Sequence, residues 1–328
     1  MSWKVLITAT PMQKVGQKAL ALLSEAGCEL IHAPRDAVSG QELIDLLADV
    51  DAVIAGGGDR YSADVLASPA VSRLKIISRW GVGYDAIDVP AATKRGIVVA
   101  FTPGMTDGAV ADYTFALLLS LVRHIPQGHQ SMREGLWQPV WGNDMAGKNL
   151  GILGLGRIGK AVARRAMGFD LHVLAHDPHP TVASEQAGIQ FVSFTELLAQ
   201  SDYLTLHAAF SPKNRRLIGE AQLRQMKPTA CLINAARGPL IDEPALLRAL
   251  NEGWIAGAAL DVFCEEPLPA NHPLRNAPNI VLSPHQASSS RETGETVSLA
   301  TVEAILDLKS GKQPKLVVNP EVFGPTFP

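Results

Sequence analysis

Cysteine and net charge are both scarce in this sequence. Three cysteines occur in 328 residues, at positions 28, 231 and 264, far apart and odd in number. Neither a disulfide framework nor a zinc site is therefore expected, and we predict no bound metal. The formal net charge is −3, which gives no reason to expect nucleic acid or a membrane surface as a partner. The basic cluster Lys213 to Arg216 is more typical of a solvated loop than of a binding patch.

Long hydrophobic runs are missing as well. No apolar run reaches the roughly 20 residues of a membrane span, and the first strand-like run, Trp3 to Thr8, follows with no secretory signal before it. We therefore expect a cytoplasmic protein. The hydrophobic share is 47% and the charged share 19%, as in ordinary globular proteins. The length is sufficient for two domains with separate cores.

The stretch from Asn149 to Asp177 has the order strand, glycine turn, helix, strand, acid. The apolar run Asn149 to Leu153 leads into Gly154-Leu155-Gly156-Arg157-Ile158-Gly159, and a helical pattern follows. A second apolar run, Leu171 to Ala175, is closed by His176 and Asp177. A dinucleotide-binding fold requires this order.

Each glycine of this turn has a physical role. Gly154 allows the tight turn out of the strand, Gly156 lets backbone amides approach a pyrophosphate, and Gly159 lets the helix pack closely on the sheet. The phosphates would lie at the helix N-terminus, where unpaired N–H groups favour an anion. Asp177 is placed to accept hydrogen bonds from the adenosine ribose. Its carboxylate would repel a phosphate on that ribose, so NAD is predicted rather than NADP.

A second glycine-rich stretch, Gly81-Val82-Gly83-Tyr84-Asp85-Ala86, follows the apolar run Leu74 to Ser78. The helical segment after it is short, opens with Pro90, and leads to no strand that ends in an acid. We interpret this stretch as a backbone loop of another kind.

Strands alternate with helical patterns along most of the chain, which predicts parallel sheets covered on both faces. In the first part the predicted strands are Trp3–Thr8, Glu29–His32, Ala52–Ala55, Lys75–Ser78 and Ile97–Phe101, and the helices are Val15–Ala26, Gly40–Leu47, Ala63–Ala67 and Val89–Lys94. After the glycine turn the predicted strands are Tyr203–Ala208, Ala230–Ala235, Ala256–Val262 and Ile280–Ser283, and the helices are Phe194–Ala199, Glu220–Met226, Glu243–Asn251 and Ser290–Leu308.

The middle of the chain carries a nearly all-apolar helical pattern, Thr106 to Arg123. A helix that is apolar all round must be buried, and we expect it between domains or between subunits. The segment from His124 to Gly142 has no clear period and is predicted to be a long loop used in function or assembly. Its tryptophans, Trp137 and Trp141, are interpreted as packing or dimer residues.

Polar residues follow several strands of the second half, at the sheet edge where ligands bind in open parallel sheets. Arg237 can offer a bidentate fork to a carboxylate. His285 can exchange a proton near neutral pH, and Glu266 can hold its ring and favour the protonated form. Beside a nicotinamide, these three side chains are the parts needed to reduce a 2-oxo acid.

The chain resembles the D-isomer-specific 2-hydroxyacid dehydrogenases over nearly its whole length. The motifs that carry the resemblance are Gly81-Val82-Gly83-Tyr84-Asp85, Gly154 to Gly159, Asn234-Ala235-Ala236-Arg237-Gly238, Ala259-Leu260-Asp261-Val262-Phe263 with Glu265-Glu266-Pro267, and Ser283-Pro284-His285. We expect two doubly wound α/β domains with the active site in the cleft between them. A Rossmann cofactor domain (102–286) is inserted into a flavodoxin-like substrate domain (1–101 plus 287–328). The segment Thr106 to Trp141 is expected to join two copies into a homodimer.

The resemblance also implies residue roles. The catalytic residues would be Arg237, Glu266 and His285, and the backbone amides of Val82 and Gly83 would hold the substrate carboxylate. Besides the three glycines, cofactor contacts would fall on Arg157, Ile158, Asp177, His207, Ala235 and Asp261. For His207 an alternative stays open, because a histidine at a strand end often only caps a backbone carbonyl.

The substrate itself is left open. In the phosphoglycerate branch of the family, arginines hold the substrate phosphate; Arg79 matches one of them, but Gly56 stands at the other position. The chain also departs from the family at Phe101, at Ala209-Phe210-Ser211 and at Gln286-Ala287. Glyoxylate, hydroxypyruvate, phosphohydroxypyruvate and bulkier acids therefore all remain as substrates.

Two other functions compete with this interpretation. Some relatives of this fold are NAD-sensing corepressors, and retention of the three catalytic residues does not exclude that role. Enzymes of the formate or phosphonate type share the cofactor domain, but the full set of arginine, glutamate and histidine favours a 2-hydroxy acid.

Overall fold

The computed structural model describes residues 2–35, 37–179 and 188–324. Backbone contacts divide the chain into two compact units. The terminal unit contains residues 1–106 and 289–328, and the central unit contains residues 107–288. Each unit has a parallel sheet of its own, with helices on both faces.

The terminal unit contains a five-stranded parallel sheet. Its strands are β1 (Lys4–Ile7), β2 (Glu29–His32), β3 (Ala52–Ala55), β4 (Ile76–Arg79) and β5 (Val98–Ala100). Its helices are α1 (Met12–Val15), α2 (Gln17–Glu25), α3 (Gly40–Leu47), α4 (Ala63–Ala67), α5 (Val89–Lys94) and α12 (Arg291–Lys309). The strand order β2-β1-β3-β4-β5 is that of the flavodoxin-like fold, as predicted. All residues of β3 are buried, as expected for a strand covered on both faces.

The central unit contains a seven-stranded parallel sheet. Its strands are β6 (Asn149–Leu153), β7 (His172–His176), β8 (Ile189–Phe191), β9 (Tyr203–Leu206), β10 (Cys231–Asn234), β11 (Gly257–Leu260) and β12 (Ile280–Leu282). Its helices are α6 (Asp107–Val122), α7 (Ile125–Arg133), α8 (Arg157–Ala166), α9 (Phe194–Gln200), α10 (Glu220–Leu223) and α11 (Glu243–Glu252). The order is β12-β11-β10-β9-β6-β7-β8. The first strand, β6, is central and the chain winds outward on both sides of it, which confirms the Rossmann prediction.

The segment after α6 corrects the prediction of a long loop. Residues Ile125–Arg133 form α7, with Pro126 in its first turn, where a missing N–H costs nothing. None of the residues of α7 is buried. Because α7 packs no face against the core, its sequence lacks the regular apolar spacing of a packed helix. A prediction from hydrophobic periodicity therefore missed it.

The apolar helix α6 is buried, but within one unit. Its side chains, among them Phe115, Leu118 and Leu121, join the core of the central unit together with Ile152 and Val162. It packs against α8 and against β10, β11 and β12. The expectation that this helix separates domains or subunits is not needed to explain its burial.

No single helix in the three described stretches is long and apolar enough to cross a membrane. The pair α6 and α7 reaches that length together but is bent by 64° at the break.

Candidate active site

The glycine turn lies where the strand order of the central sheet reverses, between β6 and β9. Gly154 follows β6 with a φ of +93°, a conformation that glycine adopts without strain. A Cβ there would lie 2.6 Å from the backbone nitrogen of Ala208, which follows β9. Only glycine fits, and open parallel sheets bind ligands at such a switch point.

The other two glycines shape the start of α8. A Cβ on Gly159 would lie 2.2 Å from the carbonyl oxygen of Gly154, so the helix packs directly against the turn. Gly156 is the N-cap residue, and nothing lies within 4 Å of the place its Cβ would take. The first N–H groups of a helix have no partner within it, and here they begin with Arg157 and Ile158. The turn therefore fits the pyrophosphate of a dinucleotide.

Asp177 ties this turn to the end of β7. One carboxylate oxygen accepts the N–H of Leu155 at 2.8 Å, and the other accepts the N–H of His179 at 2.8 Å. The side chain is half-buried, and a carboxylate oxygen can accept a second hydrogen bond, as from a ribose hydroxyl. Sequence reasoning assigned Asp177 to the ribose and did not indicate the support that Asp177 gives to the turn.

His207 follows β9 on the other side of the switch point. Its Nε2 lies 2.9 Å from Oγ1 of Thr205, a fully buried residue. Burial lowers the pKa of His207 from 6.5 to about 4, because the low-dielectric surroundings disfavour the charged ring. The ring is therefore neutral near pH 7.

Glu266 and His285 form a hydrogen-bonded pair. Oε2 of Glu266 lies 2.6 Å from Nδ1 of His285, while its Oε1 accepts the N–H of Phe263 at 2.8 Å. Burial raises the pKa of Glu266, but the hydrogen bond and charge of His285, the N–H of Phe263 and the charge of Arg237 outweigh it and lower that pKa. The carboxylate is thus charged at neutral pH, and with Nδ1 engaged it is Nε2 that can meet a substrate.

Arg237 lies on the loop after β10, which contacts the segment from Phe263 to Glu266. Asn234 at the end of β10 shapes this loop, since its amide donates to the carbonyl of Arg237 at 2.9 Å. A Cβ on Gly238 would lie 1.9 Å from the carbonyl carbon of Phe263, so the two backbones are in direct contact. The central unit therefore brings Arg237, Glu266 and His285 together. Ala235 lies on the same loop, half-buried against the core.

Asp261 is fully buried and holds the loop that carries His285. Its carboxylate accepts three hydrogen bonds, from the hydroxyl of Ser283 at 2.6 Å and from the N–H groups of Gln286 at 3.0 Å and Ala287 at 2.8 Å. Its carbonyl accepts the N–H of His285 at 2.7 Å. The family resemblance assigned Asp261 to the cofactor. In the structure its carboxylate bonds to the loop that carries His285, a role the sequence did not indicate.

The remaining predicted residues, Arg79, Val82 and Gly83, belong to the terminal unit. They lie in the loop after β4, where Nε of Arg79 donates to the carbonyl of Gly83 at 2.7 Å. Val82 and Gly83 are half-buried. In the described part of the chain no group of three or more His, Cys, Asp or Glu side chains could hold a metal ion.

The central unit also matches a family of known proteins. Residues 115–287 match the model of the D-isomer specific 2-hydroxyacid dehydrogenase NAD-binding domain. The chain belongs to this family. The glyoxylate reductase of Korarchaeum cryptofilum (strain OPF8) is 42% identical over 87% of this chain and 87% of its own length. The prediction of an NAD-dependent D-2-hydroxyacid dehydrogenase is thereby confirmed.

Two further similarities bear on substrate and cofactor. The D-3-phosphoglycerate dehydrogenase of Methanocaldococcus jannaschii is 38% identical over 96% of this chain, but over only 59% of its own length. A solved NADPH-dependent glyoxylate/hydroxypyruvate reductase from Sinorhizobium meliloti is 30% identical, with a TM-score of 0.82 and 97% of each chain covered. The relatives are named as enzymes, which favours the dehydrogenase over the corepressor.

Proposed function

We propose that this dehydrogenase reduces a small 2-oxo acid of the glyoxylate or hydroxypyruvate class to its D-2-hydroxy acid, with His285 as the proton donor. The observation that carries the proposal is the 2.6 Å pair between Glu266 and His285, with Arg237 on the adjoining loop. The similarity to a glyoxylate reductase over most of both chains supports the substrate class.

The proposed chemistry follows from the charges of these side chains. NADH supplies the hydride when it is bound. As the carbonyl oxygen of the substrate gains negative charge, protonated His285 donates its Nε2 proton to it. Glu266 stabilises the imidazolium through Nδ1 and fixes the direction of the ring. Arg237 binds the substrate carboxylate with two parallel N–H donors, and the amides of Val82 and Gly83 add further donors.

The proposed NAD contacts lie along the carboxyl edge of the central sheet. The turn of Gly154, Gly156 and Gly159 and the amides of Arg157 and Ile158 would hold the pyrophosphate, and Asp177 would bind the ribose. His207 and Ala235 would contact the cofactor at neighbouring strand ends. All of these proposed cofactor contacts belong to the central unit.

A screen of 2-oxo acids, followed by NADH absorbance, tests the proposal. We expect turnover of glyoxylate or hydroxypyruvate, and His285→Ala should lower kcat about 10²–10⁴-fold, the usual contribution of a general acid. The matched control is His172→Ala, at an exposed histidine that starts β7, which should retain wild-type kcat. No turnover with any 2-oxo acid, or wild-type kcat in His285→Ala, would refute the proposal.

We also propose that the enzyme is a homodimer that uses the segment 125–141. Trp137 and Trp141 are 83% and 94% exposed in one chain, and Ile125, Met132 and Val140 are exposed nearby. Soluble monomers rarely leave so many large apolar side chains in one short segment open to water, and most soluble oligomers are symmetric dimers.

A further inference from the structure

Arg79, at the end of β4, is bonded to the backbone of its own unit. Its Nε donates to the carbonyl of Gly83 at 2.7 Å. Its Nη1 donates to the carbonyl of Trp80 and, at 3.3 Å, to the carbonyl of Ala55 at the end of β3. One side chain thus joins the loop after β3 to the loop that carries Val82 and Gly83.

Two glycines make room for this guanidinium. A Cβ on Gly57 would lie 3.1 Å from Nη2 of Arg79, and a Cβ on Gly81 would lie 3.1 Å from its Nη1. Gly81 also has a φ of +134°, which side chains rarely adopt. A Cβ at either position would require the guanidinium to shift by a few tenths of an ångström.

A buried carboxylate fixes the glycine loop beneath the arginine. Asp59 is 1% exposed and accepts the N–H groups of Gly56 at 2.8 Å and Val38 at 3.2 Å, together with the hydroxyl of Thr8. The loop after β3 therefore has a defined conformation, and Arg79 is held against it rather than extended toward solvent.

The hydrogen bonds of Arg79 leave it poorly suited to bind a phosphate. A guanidinium binds a phosphate strongly when two parallel N–H groups form a fork. Each such fork includes Nε or Nη1, and both of these atoms already donate to backbone carbonyls. A substrate phosphate would have to displace those bonds before Arg79 could bind it.

We propose that Arg79 is a positioning residue that shapes the turn of Val82 and Gly83, and that the physiological substrate carries no phosphate. The inference rests on the proposed function, in which those two amides bind the substrate carboxylate. It gives a structural reason why phosphorylated 2-oxo acids lie outside the proposed substrate class, and it excludes the phosphate-binding role that the phosphoglycerate branch suggests for this arginine.

Kinetics on three acids separate the two roles of Arg79. Wild type should reduce glyoxylate and hydroxypyruvate with a kcat/KM at least about tenfold above that for phosphohydroxypyruvate. Arg79→Lys keeps the charge but loses the planar donors, so KM should rise about tenfold or more for all three acids alike. A rise confined to phosphohydroxypyruvate would overturn the inference.

Backbone hydrogen exchange tests the positioning role without any turnover. In Arg79→Lys, amides of residues 80–86 should exchange at least about tenfold faster, while those of β1 should stay as in wild type. Unchanged exchange at 80–86 would overturn the inference even if KM rises. If wild type reduces no 2-oxo acid, the proposed function fails, and exchange alone then decides whether Arg79 positions the turn.

Two further variants complete the design. Gly57→Ala adds a Cβ against Nη2 without removing the arginine, so it should raise KM for all three acids by a smaller common factor. Arg60→Met removes the exposed arginine of the neighbouring loop and should leave all three KM values as in wild type. A KM increase for phosphohydroxypyruvate alone in Arg60→Met would identify a phosphate-binding residue and refute the claim about the substrate.

Discussion

Glu266 uses its two carboxylate oxygens for two purposes, Oε1 for the N–H of Phe263 and Oε2 for Nδ1 of His285. The first bond fixes the carboxylate, and the second stabilises a positive charge on the ring. Removing the charge of Glu266 while keeping its shape therefore tests whether this electrostatic effect contributes to catalysis.

In Glu266→Gln we expect the alkaline limb of the pH profile for 2-oxo acid reduction to move to lower pH. Proton donation needs a charged ring, and the carboxylate of Glu266, which its lowered pKa keeps ionised at neutral pH, stabilises that charge; the neutral amide of Gln does not. The rate at low pH should fall less than the rate at high pH. The measurement is kcat/KM between pH 5 and 9 for both proteins, and an unmoved alkaline limb would mean that Glu266 only orients the ring.

At the residue scale, the sequence predicted that Glu266 holds the ring of His285, but it did not predict how Asp261 holds the loop that carries this histidine. Arg237, Glu266 and His285 could be identified because each belongs to a motif of the family. Asp261 was assigned to the cofactor by the family resemblance. Its bonds to Ser283, Gln286 and Ala287 could not be predicted, because they depend on how the ends of two strands face each other. Contacts between segments that are distant in the chain cannot be predicted from the local sequence.

At the element scale, helices with strong end signals were predicted well. The predicted helix Glu243–Asn251 agrees with α11 to within one residue, and its ends are well marked, because the side chain of Asp242 caps it and Gly253 adopts a φ of +70°. Weak elements were missed, among them β8 and α7. The edge strand β8 has only three residues, two of them exposed, and α7 buries no face. The helix α7 lacks the apolar pattern on which prediction from sequence depends, and β8 is too short to show one clearly.

The glycine turn and β7 are joined through Asp177, so cofactor choice and turn geometry are coupled. Wild type should prefer NADH over NADPH in kcat/KM, because the carboxylate repels a ribose phosphate. Asp177→Ala should narrow that preference and also weaken NADH binding, because the N–H of Leu155 loses its acceptor. Asp177→Asn keeps one amide oxygen as an acceptor, so NADH binding should suffer less. Equal kcat/KM for the two cofactors in wild type would contradict this assignment.

At the scale of the whole molecule, His207 makes stability depend on pH. Its pKa is lowered to about 4 in the folded chain, from 6.5, so between these values the unfolded chain binds more protons. The free energy of unfolding should therefore be highest above pH 6.5 and fall as the pH drops toward 4.

Denaturant unfolding at pH 7 and pH 5 measures this effect. His207→Gln removes the titrating ring, so its stability should fall less between the two pH values, by on the order of 1 kcal/mol after allowance for partial exposure. The control is His179→Gln, at an exposed histidine, which should show the wild-type pH dependence. An equal loss of stability in wild type and His207→Gln would show that the ring is not responsible.

The exposed apolar side chains of segment 125–141 predict that the protein is a dimer in solution. Each subunit has a mass of 35.0 kDa, and light scattering coupled to gel filtration should give twice that value for wild type. The double variant Trp137→Ser, Trp141→Ser removes two aromatic side chains that are 83% and 94% exposed. It should shift the protein toward the monomer, since aromatic side chains contribute most to interface energies. Leu22→Ser changes an exposed apolar residue on α2 and should leave the mass unchanged. If wild type is a monomer, or if the double variant remains a dimer, the segment 125–141 is not the interface. The exposure of its tryptophans would then require a different partner.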